Sequence, residues 1–292
     1  MDTPIRIEEF FDTDTHTLSY LVLEPASGAC AIIDSVLGYD AASGRTHTTL
    51  ADRQIARVRE LGARLAWILE THVHADHLSA AAYLREHLGG AIVIGREVTQ
   101  VQQVFGDLFH VGDDFARDGR QFDHLVADGD VLPLGVASLQ ALHTPGHTKA
   151  CMTYVIREAA PPVAFVGDTL MAPDYGTARC DFPGGDARTL YQSINTILSL
   201  PPQTRLYLCH DYRPGGRELQ SFHTVLEQRE ANIHVRNGIS EEAFVTMRQA
   251  RDATLDMPRL MLPSVQVNMR AGAMPPAESN GVRYLKIPLN AL

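Results

Sequence analysis

Thr71-His72-Val73-His74-Ala75-Asp76-His77 concentrates three imidazoles and a carboxylate between two strongly patterned segments. Before it, Leu65-Ala66-Trp67-Ile68-Leu69 reads as a buried strand. After it, Leu78, Ala81, Ala82, Leu84 and Leu88 share one face at helical spacing. The motif therefore falls on a strand-to-helix turn, and the carboxyl ends of strands are where open α/β sheets place their ligand sites. His72 and His74, two apart on an extended segment, point the same way, while Asp76 and His77 lie where the helix begins. Imidazole and carboxylate together suit a first-row divalent metal. A lone histidine at a helix start usually caps or hydrogen-bonds. Ligand-type residues this dense predict a metal site.

The rest of the chain sets the frame. Its 292 residues are enough for one large α/β domain, with residues 1–215 expected to form the catalytic core and 216–292 to add helices and an arm completing the same domain. Hydrophobic content of 45% and charged content of 21% are ordinary for a globular protein. A net charge of -10, with a pI of about 5.7, argues against nucleic acid or an anionic membrane surface as partner. The segment from Met1 to Phe10 lacks a basic start followed by an apolar run, and no apolar stretch is long enough to span a bilayer. Cys30, Cys151, Cys180 and Cys209 form no Cys-x-x-Cys pair, which fits a reducing cytoplasm. Cys151 and Cys209, in apolar surroundings, read as core residues. A homodimer is expected.

Outward from the first motif, further apolar strands end in ligand-type residues. Leu18 to Leu23 and Ala29 to Asp34 read as a hairpin, with Asp34 either capping a turn or orienting a ligand. Residues 38–48 look like an irregular loop, 49–61 a helix stopped by Gly62, and 91–95 a strand. Residues 105–123 look like a loop or irregular helix, in which His110 reads as solvated. Strands at Val131 to Leu134 and Ala137 to Leu142 lead to His143-Thr144-Pro145-Gly146-His147-Thr148, where the Pro-Gly turn holds His147 at a fixed angle. His147 is the preferred ligand and His143 stands behind it or is structural. The strand Val163-Ala164-Phe165-Val166 ends in Gly167-Asp168, and Leu206-Tyr207-Leu208-Cys209 ends in His210-Asp211-Tyr212. Asp186 starts a helix that Pro201-Pro202 stops. Residues 219–232 and 241–255 read as helices, the second capped by Ser240, and 257–292 as an arm rich in Pro, Gly and Asn.

His72-x-His74-x-Asp76-His77, then His147, Asp168 and His210 in that order, resembles the ligand set of the metallo-β-lactamase fold over about 18–212. The resemblance implies an α/β protein with an αβ/βα sandwich, two mixed sheets flanked by helices, and a metal in a groove at one edge. Within that superfamily the chain is most similar to the persulfide dioxygenases, the sulfur dioxygenase branch near glyoxalase II. The segments Thr144-Pro145-Gly146-His147-Thr148, Gly167-Asp168-Thr169-Leu170, Gly176-Thr177-Ala178-Arg179-Cys180-Asp181-Phe182 and His210-Asp211-Tyr212 carry that likeness. It implies one Fe(II) per subunit on His72, His147 and Asp168, with His74, Asp76, His77 and His210 around it or holding a second metal. The implied reaction oxidises glutathione persulfide with O2 to sulfite and glutathione.

Two histidines and one carboxylate leave open positions on Fe(II), which is compatible with that chemistry. The full ligand set equally permits two Zn ions and a hydroxide attacking a thioester, as in a hydroxyacylglutathione hydrolase of the glyoxalase II type. A non-enzymatic binding protein on the same fold is the third reading. Arg179-x-Asp181-Phe182, and the lack of an extended helical carboxyl domain, favour the dioxygenase. Lys149-Ala150 departs from the small or Pro-Gly turn of many relatives. Asp76, Arg179, Asp181 and Tyr212 are expected to support catalysis, the Arg-carboxylate pair by fixing a ligand loop and Tyr212 by aiming its hydroxyl at the reactants. Arg213, Arg217 and Lys149 are the expected partners of the glutathione carboxylates, with Arg283 or Lys286 reaching in from the arm.

Overall fold

A computed structural model describes residues 5–291. Met1 to Pro4 and Leu292, and with them the first part of the amino-terminal reading, lie outside the described residues. In chain order the strands are β1 (Arg6–Asp12), β2 (Thr17–Glu24), β3 (Ala29–Ile33), β4 (Val36–Asp40) and β5 (Arg45–His47), then helix α1 (Thr49–Glu60). They are followed by β6 (Arg64–Leu69), β7 (Leu78–Ser79), α2 (Ala81–Leu88), β8 (Ala91–Gly95), α3 (Val98–Leu108) and β9 (His124–Val126). The second half comprises β10 (Val131–Leu134), β11 (Ala137–His143), β12 (Met152–Ile156), β13 (Val163–Phe165), α4 (Ala187–Leu198), β14 (Arg205–Tyr207), β15 (Phe222–Thr224), α5 (Val225–Ala231), α6 (Glu241–Asp252) and α7 (Met261–Asn268).

Two six-stranded sheets face each other, in the orders β1-β2-β3-β6-β8-β9 and β10-β11-β12-β13-β14-β15. Both are mixed, with parallel pairing from β3 through β9 in the first and between β13 and β14 in the second. The two-residue period of β2 and β3 explains the layering. Leu18, Tyr20, Val22, Ala29, Ala31 and Ile33 point into the core between the sheets, whereas Leu21, Leu23, Cys30 and Ile32 point out beneath the helices. Leu50, Ile55 and Val58 of α1 cover that outer face, and Leu190, Ile194 and Ile197 of α4 pack in one cluster with the residues of the second sheet. The result is the expected αβ/βα sandwich.

The departures from the sequence reading have local causes. Arg6–Asp12 places the charged Glu8-Glu9 next to Phe10-Phe11 without alternation and has only Phe10 buried, as suits an edge strand, and so gives a weak strand signal. Residues 38–48 are not an irregular loop. Asp40 accepts hydrogen bonds from the Ala42 N–H and the Ser43 hydroxyl, each at 2.8 Å, and turns the chain into the β4–β5 hairpin. Leu78 pairs with Leu37 before α2 starts. Polar Gln100, Gln102 and Gln103 hide α3, yet Gln102 is buried and donates to the Met269 carbonyl at 2.9 Å. In 219–232, strand β15 precedes the helix, which Thr224 and Glu227 start with a capping box. Helix α6 ends at Asp252, short of 255. The arm contains α7, where Pro263 lies in the first turn and so costs no intrahelical donor. Among the described residues no helix is long and apolar enough to cross a membrane.

Candidate metal centre

Strands β6, β11, β13 and β14 end at one edge of the sandwich, and each hands its following loop a ligand-type residue. Backbone bonds lace these loops together. The Met152 N–H donates to the Thr71 carbonyl at 2.8 Å, and the Leu18 N–H to the Cys209 carbonyl at 2.7 Å. Gly146, with φ of 135°, lets the His147 turn lie against α4, because a Cβ there would sit 2.3 Å from the Leu190 Cα.

Asp168 stands at the centre of the cluster. Its Oδ2 is 3.6 Å from His72 Nε2 and 3.5 Å from His147 Nε2, while its Oδ1 is 3.3 Å from His210 Nε2. His210 Nε2 in turn lies 3.2 Å from Asp76 Oδ2. The His74 ring sits between His72 and His77, with centroid distances of 4.1 and 4.2 Å. His72, His74, Asp76, His77, His147, Asp168 and His210 are thereby gathered at one place.

The surrounding hydrogen bonds assign the ring nitrogens. Asp34 accepts from the Thr71 N–H at 2.8 Å and from the Thr71 hydroxyl at 2.9 Å, so that hydroxyl is left to accept from His72 Nδ1–H at 3.0 Å. Asp34 also accepts His74 Nε2–H at 3.0 Å, and the Arg179 carbonyl accepts His147 Nδ1–H at 2.8 Å. His77 Nδ1 is 3.3 Å from both Thr17 Oγ1 and Asp76 Oδ2, and His210 Nδ1 is 3.5 Å from Thr17 Oγ1. Each imidazole spends one nitrogen on the protein and turns the other inward. His72 Nε2, His74 Nδ1, His77 Nε2, His210 Nε2 and Asp168 Oδ1 are buried with no hydrogen-bond partner. Burial, with His74 and His147 close by, pushes the His72 imidazole well below its ordinary range, which keeps its lone pair free. Unpaired buried polar atoms cost roughly 1–3 kcal/mol each, and a divalent metal satisfies several at once. The residues fit such an ion. The thiols do not compete for a nucleophile's role, since all four are buried and burial pushes Cys151 up to about 12.

Two residues outside the motif complete the support. Asp34 orients a histidine, one of the two roles its position suggested. Asn268 of α7 donates to the carbonyls of His74 and His77, each at 2.8 Å, and accepts from the Ser79 N–H at 2.7 Å. Its identity carries no signal in the sequence, because its partners are backbone groups far away along the chain.

A groove of about 250 Å³ opens beside the cluster, lined by Asp76, His147 and Asp168 on one side and by Phe182, Tyr175 and Leu255 on the other. Tyr212 borders it, stacked on His210 with centroids 5.6 Å apart and on Tyr175 at 4.7 Å. Arg179 forks onto Asp181 with both bonds at 2.6 Å, and its carbonyl is the His147 partner. Arg248 and Arg251 also line the groove. Arg217 faces two carboxylates instead, Asp211 with bonds of 2.7 Å and Asp174 at 2.6 and 2.9 Å. Arg213 lies over the Phe11 ring at 5.3 Å, and Lys149 is exposed against Gly184. His143 turns away, its Nε2 meeting the Lys149 carbonyl at 2.8 Å. On the arm, the Lys286 ammonium donates to the His110 carbonyl at 2.6 Å and Arg283 donates to the Pro275 carbonyl at 2.5 Å.

The metallo-beta-lactamase superfamily model matches residues 12–210, which spans His72, His74, Asp76, His77, His147, Asp168 and His210. A protein of Burkholderia pseudomallei (strain 1710b) named as a probable metallo-hydrolase is 64% identical over 99% of this chain and 100% of its own length. The mitochondrial persulfide dioxygenase ETHE1 of Homo sapiens is 31% identical over 94% of this chain and 91% of its own. The crystal structure of ETHE1 from Myxococcus xanthus, 28% identical, superposes with a TM-score of 0.72 over 92% of this chain and 100% of that one. With the fold, the ordered ligands and these relatives in agreement, the chain belongs to the metallo-beta-lactamase superfamily.

Proposed function

We propose that this protein is an iron-dependent persulfide dioxygenase that oxidises glutathione persulfide. The observation that carries the reading is the trio of His72 Nε2, His147 Nε2 and Asp168 Oδ2, two imidazoles and one carboxylate oxygen converging beside an open groove. Similarity to persulfide dioxygenases along nearly the whole chain supports it. In overall balance, glutathione persulfide, O2 and water give glutathione and sulfurous acid, which ionises to sulfite. Iron(II) on the trio supplies open coordination positions and the electron transfer that O2 requires.

The protein's own part is binding and orientation. Phe182, Tyr175, Met171 and Leu255 give the groove an apolar wall that excludes water from the persulfide. Arg251, at the rim, makes no ion pair among the described residues and offers a fork to a glutathione carboxylate. The Arg179 carbonyl and Asp34 hold His147 and His74 at fixed angles.

The second reading, a dinuclear zinc thioester hydrolase, is favoured by one feature of the site. Asp76, His77, His210 and Asp168 Oδ1 form a second group of inward-facing ligands, and the 64%-identical relative is named as a hydrolase. Anaerobic purification followed by metal analysis separates the two. One iron per chain, with turnover of glutathione persulfide and none of a hydroxyacylglutathione, supports the dioxygenase. Two zinc ions per chain with the opposite substrate preference supports the hydrolase.

A further inference from the structure

Helix α6 reaches the metal centre through a buried ion pair. Arg248 is 1% exposed and Asp252 6%, and Arg248 Nε and Nη2 meet Asp252 Oδ1 at 2.9 and 2.6 Å. One further donor of Arg248 and the second oxygen of Asp252 go to one segment. Arg248 Nη1 donates to the Thr177 carbonyl at 3.3 Å, and Asp252 Oδ2 accepts the Cys180 N–H at 2.9 Å. These bonds grip the chain on either side of Arg179, whose carbonyl accepts His147 Nδ1–H at 2.8 Å. Apart from a single bridge between Thr177 and Leu170, residues 176–182 belong to no strand or helix. The grip from α6 joins the bonds that Asn232 makes to the Gly176 carbonyl and His234 to Thr177, and it is the part that flanks Arg179 on both sides.

Desolvation takes back much of what a buried ion pair gains, so such a pair is weak evidence of a stabilising role. A pair whose spare donor and acceptor flank one metal-facing carbonyl is better explained by geometry. We infer that Arg248 and Asp252 are positioning residues for the metal centre, holding the Arg179 carbonyl where it fixes the tautomer and ring angle of His147. The inference rests on His147 holding a metal and is independent of which reaction that metal serves. The competing explanation is a tether that merely keeps α6 on the body.

Replacing both partners with apolar residues of similar size, Arg248→Met with Asp252→Leu, removes the buried charges together and retains most of the stability. It also frees the Thr177 carbonyl and the Cys180 N–H. Zinc affinity of the full-length protein, measured by chelator competition, is the readout. It is independent of turnover, so failure of the dioxygenase reading leaves it interpretable. The expected result is a 10- to 100-fold loss of affinity, roughly what supporting partners of a ligating histidine contribute. Asp252→Asn, which keeps an oxygen for the Cys180 N–H, should recover part of it.

The control is Arg188→Ala, which cuts the α4–α6 contact of Arg188 with Glu241 and Glu242 at the opposite end of α6 from Asp252, leaving the Arg248–Asp252 strap in place. It should bind zinc within about twofold of the parent if the loss is specific to the strap. Affinity within about twofold of the parent in the folded double variant overturns the inference, as does an equal loss in Arg188→Ala. If the double variant does not fold, Asp252→Asn and Arg248→Lys are measured in the same way. Unchanged affinity in both overturns the inference, and a weakening of either above Arg188→Ala supports it.

Discussion

Replacing Asp34 tests how the metal motif is held. Its carboxylate is 3% exposed and serves three buried donors: the Thr71 N–H, the Thr71 hydroxyl and His74 Nε2–H. Asp34→Ala strands them at roughly 1–3 kcal/mol each. Glu70 Oε2, 3.3 Å from His74 Nε2 and otherwise without a partner, takes over one of the three. The net expectation is a loss of about 2–6 kcal/mol, a large share of the stability of a typical domain. Asp34→Asn is milder for two reasons. Its amide oxygen still accepts from Thr71 N–H and His74, so what is lost is the charge assistance of about 1–2 kcal/mol and the bond from the Thr71 hydroxyl to Oδ2. Asparagine also tolerates the left-handed backbone at this position, where φ is 51°, better than alanine does. The assay is urea unfolding of the metal-free protein, with chelator competition for the metal. Affinity in Asp34→Ala should fall about tenfold or more as His74 loses its fixed orientation. An Asp34→Ala protein as stable as the parent, or an Asn variant that costs as much as Ala, would show that Asp34 does not hold this loop.

The ligands should differ in weight. His147→Ala is expected to abolish iron binding, whereas His210→Ala keeps most of the iron; equal loss in both would point to a dinuclear centre. Arg217→Ala leaves the buried Asp211 carboxylate without its counter-charge, so urea should unfold the variant earlier by about 3 kcal/mol, with KM for glutathione persulfide unchanged. Unaltered stability with a tenfold rise in KM would make Arg217 a substrate anchor, the role its sequence position suggested. Burial, with Arg248 and Arg251 nearby, pushes the His234 imidazole from its ordinary 6.5 down to about 4. Between those values the unfolded chain binds a proton that the folded one refuses, so this residue's contribution to stability falls as pH drops from 6.5 toward 4 and is constant above 6.5. Urea midpoints across that window should depend less on pH in His234→Asn than in the parent, and parallel curves would contradict the assignment.

The clustered ligand-type residues were legible because they combine a rare residue chemistry with positions after apolar strands. His72, His147, Asp168 and His210 each follow a hydrophobic run, and the αβ/βα layering follows from the two-residue period of those runs. What the sequence hid depends on distant partners. Asn268 acts on the backbone of residues 74–79, and Asp34 gains its meaning only when β3 lies beside β6. Arg248 and Asp252, four apart on a helix, look like a solvated surface pair until the fold buries them against 177–180. Arg217 looks like a free cation beside the site, yet Asp174, far back in the chain, claims part of its guanidinium. The β4–β5 hairpin was missed because polar turn chemistry around Asp40, and no apolar pattern, builds it.

Whether the protein is a persulfide dioxygenase is decided by oxygen consumption of the anaerobically purified, iron-loaded protein on addition of glutathione persulfide. One O2 should be consumed and one sulfite released per persulfide, with both lost in His147→Ala. Hydrolysis of a hydroxyacylglutathione by the zinc-loaded protein, with no oxygen uptake on persulfide by the iron-loaded one, would contradict the dioxygenase reading.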